Sequence, residues 1–273
     1  MKIIIVSGLS WKHSWATWLL MRACRYDLVA FTGDVFAARA NTPEDLQNEL
    51  LWLKVVTEKL GNRTRLALGT GVGDEEVLAR PDFYSLFEPD WRTLVPEVAV
   101  KDGKNQVVAG QKGRILVSVF ESRLRTYTNL STYFMQWREA QLIAQKFKIP
   151  WLVLHPQGPY GTAITQSFDP HKEEYDWFGC TDLAVAIERY QPDFFVGGYP
   201  HHTPFEGGHW CDRIGKTLIL NPGCRPVGEF PCNIEIDLER NRARWRVSGI
   251  EESVVALNEE ESTSSESAQS SHP

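Results

Sequence analysis

Asp34 follows Gly33 at the end of an apolar run, His155 closes a second such run, and a third opens into the turn Phe194-Phe-Val-Gly-Gly-Tyr-Pro-His-His-Thr203. Carboxylate and imidazole are the side chains that hold divalent cations and exchange protons near neutral pH. Two histidines and one carboxylate form an open-sided set for a single metal ion. Asp34, His155 and the histidines of the 194–203 turn are therefore residues that could do such chemistry, and His13 and His209 lie in other loops. Taken singly, an Asp or His just after a strand is more often a turn former than a ligand. The pattern gains weight because Ser7-Gly8, Asp34, Thr70, His155 and Tyr199 to His202 all follow an expected strand. In α/β sheets, ligand sites gather at the carboxyl ends of the strands.

The elements that must position these residues show as short apolar runs. Lys2 to Val6, Leu28 to Thr32, Arg65 to Leu68, Trp151 to His155 and Asp193 to Val196 read as buried strands. Thr42-Pro43 opens a helix, with Thr as N-cap and Pro in the first turn. Leu46, Leu50, Leu53 and Leu60 follow near helical spacing, and Gly61-Asn62 ends it. Asn129 to Lys148 is amphipathic, with Phe134, Trp137, Ile143 and Phe147 on one side, and Cys180 to Tyr190 is a further helix. Residues from Trp91 to Val119 read as short strands joined by turns such as Lys101-Asp-Gly-Lys104. Runs at 217–220, 232–237 and 242–248 add antiparallel character. This alternation of strands and helices specifies α/β layering.

A chain of 273 residues, 42 % hydrophobic, can bury one large core. Six glutamates beyond Ile250, with no Lys or Arg among them, account for the whole net charge of −6. The first 250 residues are thus close to neutral and carry no footprint for nucleic acid or an anionic membrane. Residues 1–250 are expected to form one domain and 251–273 an acidic, Ser/Glu-rich tail too polar to offset its ordering entropy, hence disordered. No apolar run reaches the roughly 20 residues that span a bilayer, and Met1 to Ser7 reads as a first strand, not a signal peptide. The five cysteines are odd in number and include no Cys-x-x-Cys, which fits free thiols in a reducing, cytoplasmic setting.

The turn at 194–203, followed by Leu218-Ile-Leu-Asn-Pro-Gly223, resembles the closing motif of the calcineurin-like metallophosphoesterases, usually Gly-His-x-His and then Asn-Pro-Gly-Ser. Gly33-Asp34 resembles the family's Gly-Asp motif, His155-Pro-Gln-Gly-Pro159 its lone-histidine loop, and Gly179 to Asp193 the helix entering its last motif. The resemblance covers roughly residues 2 to 224, in order. It implies an α/β sandwich of two mixed β-sheets flanked by helices. It also implies that Asp34 is the carboxylate shared by two metals, that His155 serves the second and that His201 serves the first. The remaining ligand positions depart from the pattern. Gly8 and Ser10 stand where Asp-x-His is usual, Thr70 and Gly71 where Asn-His is usual, and Tyr199 replaces the first histidine of the closing motif. A glycine has no ligand atom in its side chain, and a neutral tyrosine, with a pKa of about 10, is a poor ligand.

Loss at five positions together argues against the ordinary two-metal reaction, in which paired cations activate a bridging water. The expectation is a pseudo-enzyme with no certain cofactor that binds an unidentified protein or a small anionic ligand through the strand-end face. One alternative is a metal-dependent phosphoesterase with a single divalent cation (Mn, Fe or Zn) on Asp34, His155 and His201. Another is a structural assembly subunit. Other signals are weaker. His201, His202, His209 and Cys211 match no standard zinc spacing. Gly69-Thr-Gly-Val-Gly73 reads as a strained turn needing φ > 0, with amides that could bind an anion. Cys180 and Cys224 read as small buried residues. Trp11, Trp15 and Trp18, near helical spacing, read as core packing or as an aromatic wall over the site mouth.

Overall fold

A computed structural model describes residues 1–9, 12–35, 39–71, 73–74, 77, 99–100, 104–120, 130–169, 174–207, 209–225, 227–248 and 252–257. In chain order its first strands are β1 (Lys2–Val6), β2 (Leu28–Thr32), β3 (Arg65–Gly69), β4 (Ala99–Val100), β5 (Lys104–Gly110) and β6 (Gly113–Val119). Then come β7 (Trp151–Gln157), β8 (Gln166–Asp169), β9 (Glu174–Trp177), β10 (Phe194–Tyr199) and β11 (Cys211–Ile214). The last are β12 (Thr217–Leu220), β13 (Asn233–Asp237), β14 (Arg242–Arg246) and β15 (Ser253–Ala256). The helices are α1 (Ser14–Arg22), α2 (Pro43–Gly61), α3 (Leu130–Phe147), α4 (Thr181–Tyr190) and α5 (Thr203–Glu206).

The strands form a seven-stranded sheet in the order β15-β14-β13-β1-β2-β3-β4, a six-stranded sheet in the order β11-β12-β10-β7-β6-β5, and a small β8-β9 hairpin. In the larger sheet β1 to β4 run parallel, while β13, β14 and β15 add antiparallel. In the smaller, β6, β7, β10 and β12 run parallel between antiparallel edges β5 and β11. The expected antiparallel character of 217–220 therefore holds only toward β11. Toward β10 that strand is parallel, because α5 and β11 carry the chain back before it enters the sheet.

Period-two alternation explains how two sheets and two helical layers share these strands. Ile3, Ile5, Leu28 and Ala30 face Val117, Leu152, Leu154 and Val196 across the space between the sheets. Ile4, Val6, Val29 and Phe31 face the other way, onto Trp15, Leu19, Leu46, Leu50 and Leu53 of α1 and α2. Leu116, Trp151, Val153 and Phe195 pack in turn on Trp137, Ala140, Leu183 and Ile187 of α3 and α4. The molecule is layered helix–sheet–sheet–helix, the α/β sandwich expected. Trp15 and Trp18 are buried in this packing, so those two indoles do not line the site mouth; Trp11 lies outside the described residues.

Local signals act where they were expected. Thr42 accepts from the Asp45 amide at 3.1 Å while Asp45 accepts from the Thr42 amide at 3.0 Å, a reciprocal cap on α2. The buried line of α3 is Tyr133, Trp137, Ala140 and Ala144; Phe147, expected on that side, is 46 % exposed, because the helix is ending as it leaves the sheet. The expected turn at 101–103 and the acidic segment 258–273 lie outside the described residues. The boundary expected at 250 moves: β15 pairs antiparallel with β14 from Ser253 to Ala256, and Leu257 is buried. Its Val254 and Val255 supply the β-branched side chains that the glutamates on either side of the strand obscure in a reading of composition.

Trp137 is fully buried, stacked on Phe120 at 4.9 Å and edge-on to Trp151 at 5.6 Å. Trp137→Ala is expected to lower unfolding free energy by about 3–5 kcal/mol. Met135→Ala, on the exposed side of the same helix, should stay within about 0.5 kcal/mol. Urea denaturation of the two variants checks both values.

Candidate functional site

The apolar run of β2 ends in two residues that only a turn tolerates. Gly33 has φ +83° and Asp34 φ +42°, the left-handed region that glycine and aspartate enter most readily. The chain thereby leaves the sheet and presents the Asp34 carboxylate at the strand end. Backbone bonds stitch three parallel strand ends together there. Gly8 N–H donates to Gly33 O at 3.1 Å, and Gly33 N–H to Gly69 O at 3.4 Å.

His201 arrives from the other sheet. β10 ends in Gly197-Gly198, and a Cβ on Gly198 would stand 2.6 Å from Thr32 O, so only glycine lets β10 pass this close to β2. The Asn-Pro-Gly segment after β12 then holds the histidine turn in place. Asn221, fully buried, donates its side-chain amide to Pro200 O at 2.8 Å and accepts from Gly223 N–H at 2.8 Å, while Cys224 N–H donates to His201 O at 3.0 Å.

The two strand ends meet in a hydrogen-bonded chain. His201 Nε2 is 2.8 Å from Asp34 Oδ2, and His201 Nδ1 is 3.1 Å from Ser7 Oγ. An ionised carboxylate can only accept, so Nε2 carries the proton, and in the neutral ring Nδ1 accepts from the Ser7 hydroxyl. Asp34 Oδ1 also accepts from Gly73 N–H at 3.2 Å. Asp74, fully buried, braces the same corner by accepting from Val35 N–H and Gly71 N–H, both at 2.8 Å. The glycines of the 69–73 turn are not in the positive-φ region expected of them. Their requirement is space: a Cβ on Gly71 would lie 2.1 Å from Asp34 N, and one on Gly73 2.9 Å from Asp34 Oδ1.

His155 is buried near the end of β7, level with Gly197 of β10, and its Nδ1 accepts from Gln157 N–H at 2.9 Å. The Tyr199 ring stands edge-on to His201 with centroids 6.1 Å apart. The structure thus joins Asp34 to His201 directly and sets His155 on the adjacent strand. Among the described residues, no three His, Cys, Asp or Glu side chains gather as a metal ion requires. Two of the other histidines have neighbours of their own. His13 stacks on Trp52 at 4.2 Å and meets Glu49 at 2.9 Å, and His202 lies 3.8 Å from Glu206. All five cysteines are free. Cys224 is buried beside Gly8 O, where desolvation, with Cys232 and Asp34 close by, pushes its thiol far up; Cys232 and Cys211 are pushed up to about 11, chiefly by burial. Cys180, expected to be buried, is only half-buried at the N-cap of α4.

No family model matches the sequence, and no curated protein matches it. Solved structures do. Over 94 % of this chain, the fold follows 53 % of a purple acid phosphatase from yellow lupin (Lupinus luteus) seeds, with a TM-score of 0.56 at 9 % identity. It follows 99 % of a dimetal phosphatase from Danio rerio over the same share of this chain, with a TM-score of 0.56 at 8 % identity. The chain has the calcineurin-like metallophosphoesterase fold. It spans about half the length of the lupin protein and nearly all of the Danio rerio one. At such low identity the likeness carries the metallophosphoesterase fold and not the chemistry of either protein.

Two contributors escaped the sequence reading. Ser7 was noted only as a post-strand residue, and the signal for its role is a hydroxyl at the end of an otherwise apolar strand. Asp74 gave only the hint of an acid following Gly-x-Gly. Gly71→Ala is expected to lower stability by about 1–3 kcal/mol, because the methyl meets backbone that cannot rotate away. A urea midpoint unchanged from the parent would contradict the close approach. In a thiol titration with an aromatic disulfide at pH 8, Cys24 alone is expected to react quickly in the folded protein. All five cysteines should react in denaturant.

Proposed function

We propose that this protein is a metallophosphoesterase-fold pseudo-enzyme. Most of the ligands of a two-metal centre are gone, and the strand-end face binds a partner protein or a small anionic ligand. The observation that carries this reading is the 2.8 Å contact between His201 Nε2 and Asp34 Oδ2. With Nε2 turned to that carboxylate, Nδ1 is turned to Ser7. The two resemblance-derived ligands that lie closest together therefore satisfy one another. Gly8, Thr70, Gly71 and Tyr199 supply little to complete a pair of coordination spheres, so the residues do not fit two cations. What remains is a polar notch whose hydroxyl, imidazole and amides already donate within it, so a bound anion must take over donors that now serve Asp34. Free cysteines suit the reducing, cytoplasmic setting that belongs to this reading.

A second reading keeps one divalent cation (Mn, Fe or Zn) on Asp34, His155 and His201. The position of His155 on the strand adjoining β10, level with Gly197, favours it. It requires the His201 proton to sit on Nδ1, with Ser7 Oγ accepting it, and His155 to join the pair. The two readings separate experimentally. Protein purified without chelator is analysed for metal and assayed on aryl phosphate monoesters and diesters with added Mn²⁺. The pseudo-enzyme is expected to hold no stoichiometric metal and to show no turnover above the blank. Inorganic phosphate without divalent cations should raise its melting temperature, and His201→Ala should abolish that rise. Bound metal with turnover that disappears in Asp34→Ala and His155→Ala would overturn this reading in favour of the reduced site.

A further inference from the structure

Away from the Asp34 notch, the outer face of the larger sheet carries an unusual concentration of positive charge. β14 reads Arg242-Ala-Arg244-Trp-Arg246, and Ala243 and Trp245 are buried between the sheets. The three arginines therefore share the opposite face, spaced about 7 Å apart along the strand. Arg22 and Arg25 come to the same place from the end of α1 and the turn after it, and Lys2 and Arg240 close one end. With Tyr26, Glu235 and Asp237 these cations line a cleft of about 250 Å³. Seven cations against two carboxylates in one cleft is a local excess that a chain of net charge −6 does not require.

The cleft is built in two parts. One part is braced: Arg246 meets Glu235 at 3.2 Å, Arg244 meets Glu252 at 2.7 Å, and the Tyr26 hydroxyl donates to Glu235. The other part has fewer carboxylate partners among the described residues. Among the described residues Lys2, Arg22, Arg25 and Arg242 make no ion pair, and Arg22 is held flat against Trp18, its guanidinium carbon 4.4 Å from the ring centre. Arg22 and Arg242 are half-buried and Arg25 is exposed; clustered guanidinium groups repel one another, and an anion between them relieves the repulsion. Their planar forks match phosphate oxygens two at a time. An adjoining cavity of about 630 Å³ shares Lys2, Arg25, Tyr26, Asp237 and Arg240 with the cleft and continues toward Gln111 and Lys112. That is room for an organic group larger than phosphate itself.

We propose that this cleft binds a small organic polyphosphate, its phosphates on Arg22, Arg25 and Arg242 and the rest of the molecule in the adjoining cavity. Asp34, His155, His201 and Tyr199 line neither cavity, so the proposal is independent of the strand-end reading. The small volume of the cleft selects a small molecule over a nucleic-acid strand.

Isothermal titration of the full chain with ADP and with inorganic pyrophosphate tests it, in chelator and about 150 mM salt so that diffuse attraction is screened. ADP is expected to bind at one site, more tightly than pyrophosphate. Arg22→Ala, Arg25→Ala and Arg242→Ala should each weaken it about tenfold, the equivalent of about 1.4 kcal/mol. Arg242→Lys should restore only part of the loss, since an ammonium lacks the fork, and Met135→Ala, exposed and lining neither cavity, should change nothing. Thermal melts confirm which variants fold, and three independent arginines keep the test open if one does not. No heat with either probe, unchanged binding in the folded arginine variants, or loss on Met135→Ala would each overturn the proposal. Equal affinity for ADP and pyrophosphate would overturn the organic part of the assignment. Binding that emerges only when Glu259, Glu260, Glu261 and Glu266 are changed to Gln would give the cleft to the chain's own acidic C-terminal segment instead.

Discussion

The arrangement at the strand ends depends on how closely the two sheets approach there. β10 of one sheet passes β2 of the other with the Gly198 backbone so near Thr32 O that a Cβ would stand 2.6 Å away. Gly71 is as tightly set against the Asp34 amide, where a Cβ would come to 2.1 Å. Ordinary sheet packing, about 10 Å face to face, keeps side chains between the layers. Here backbone touches backbone, and side chains can enter only around the rim. That constraint puts Asp34 and His201, 167 residues apart in sequence, within a hydrogen bond of each other.

The same closeness governs what the notch can do. A carboxylate at the mouth of a low-dielectric sandwich must be satisfied, and Asp34 accepts from His201 and from the Gly73 amide. Asp74 and Asn221, both fully buried, satisfy the backbone of the turns that carry the notch residues. Second-layer support of this kind fixes rotamers whether or not a metal is present. The fold thus braces the turns that carry Asp34 and His201.

Much of the fold was legible because apolar periodicity is local. Ile3-Ile4-Ile5-Val6 specifies a strand buried on both faces, and the leucines of α2 specify a helix with one buried stripe. Thr42 and Asn62 stand at the ends of α2 as capping chemistry requires. Less legible were elements that carry little apolar signal of their own. The β8-β9 hairpin alternates polar and aromatic residues, β11 is half-exposed throughout, and β15 hides between glutamates. For the site, the motif residues Asp34, His155 and His201 were found from the resemblance alone. Their partners were not, because Ser7 and Asp74 act through distances that no spacing records. Gly71 and Gly73 were rightly singled out but for the wrong reason, since crowding and not backbone handedness forces glycine there.

The sequence by itself determined most of the strands and helices, the cap of α2 and the glycines that the strand-end turns need. These are properties of single residues or of short windows, where steric and hydrophobic preferences act without a partner. Only the tertiary structure decided that Asp34 and His201 face each other. It also decided that Trp15 and Trp18 serve the core, and that a nearly neutral body gathers Arg22, Arg25 and the β14 arginines into one cleft. Net charge is a sum over the chain. Electrostatic potential depends on distance, and distance between remote residues exists only once the sheets have closed.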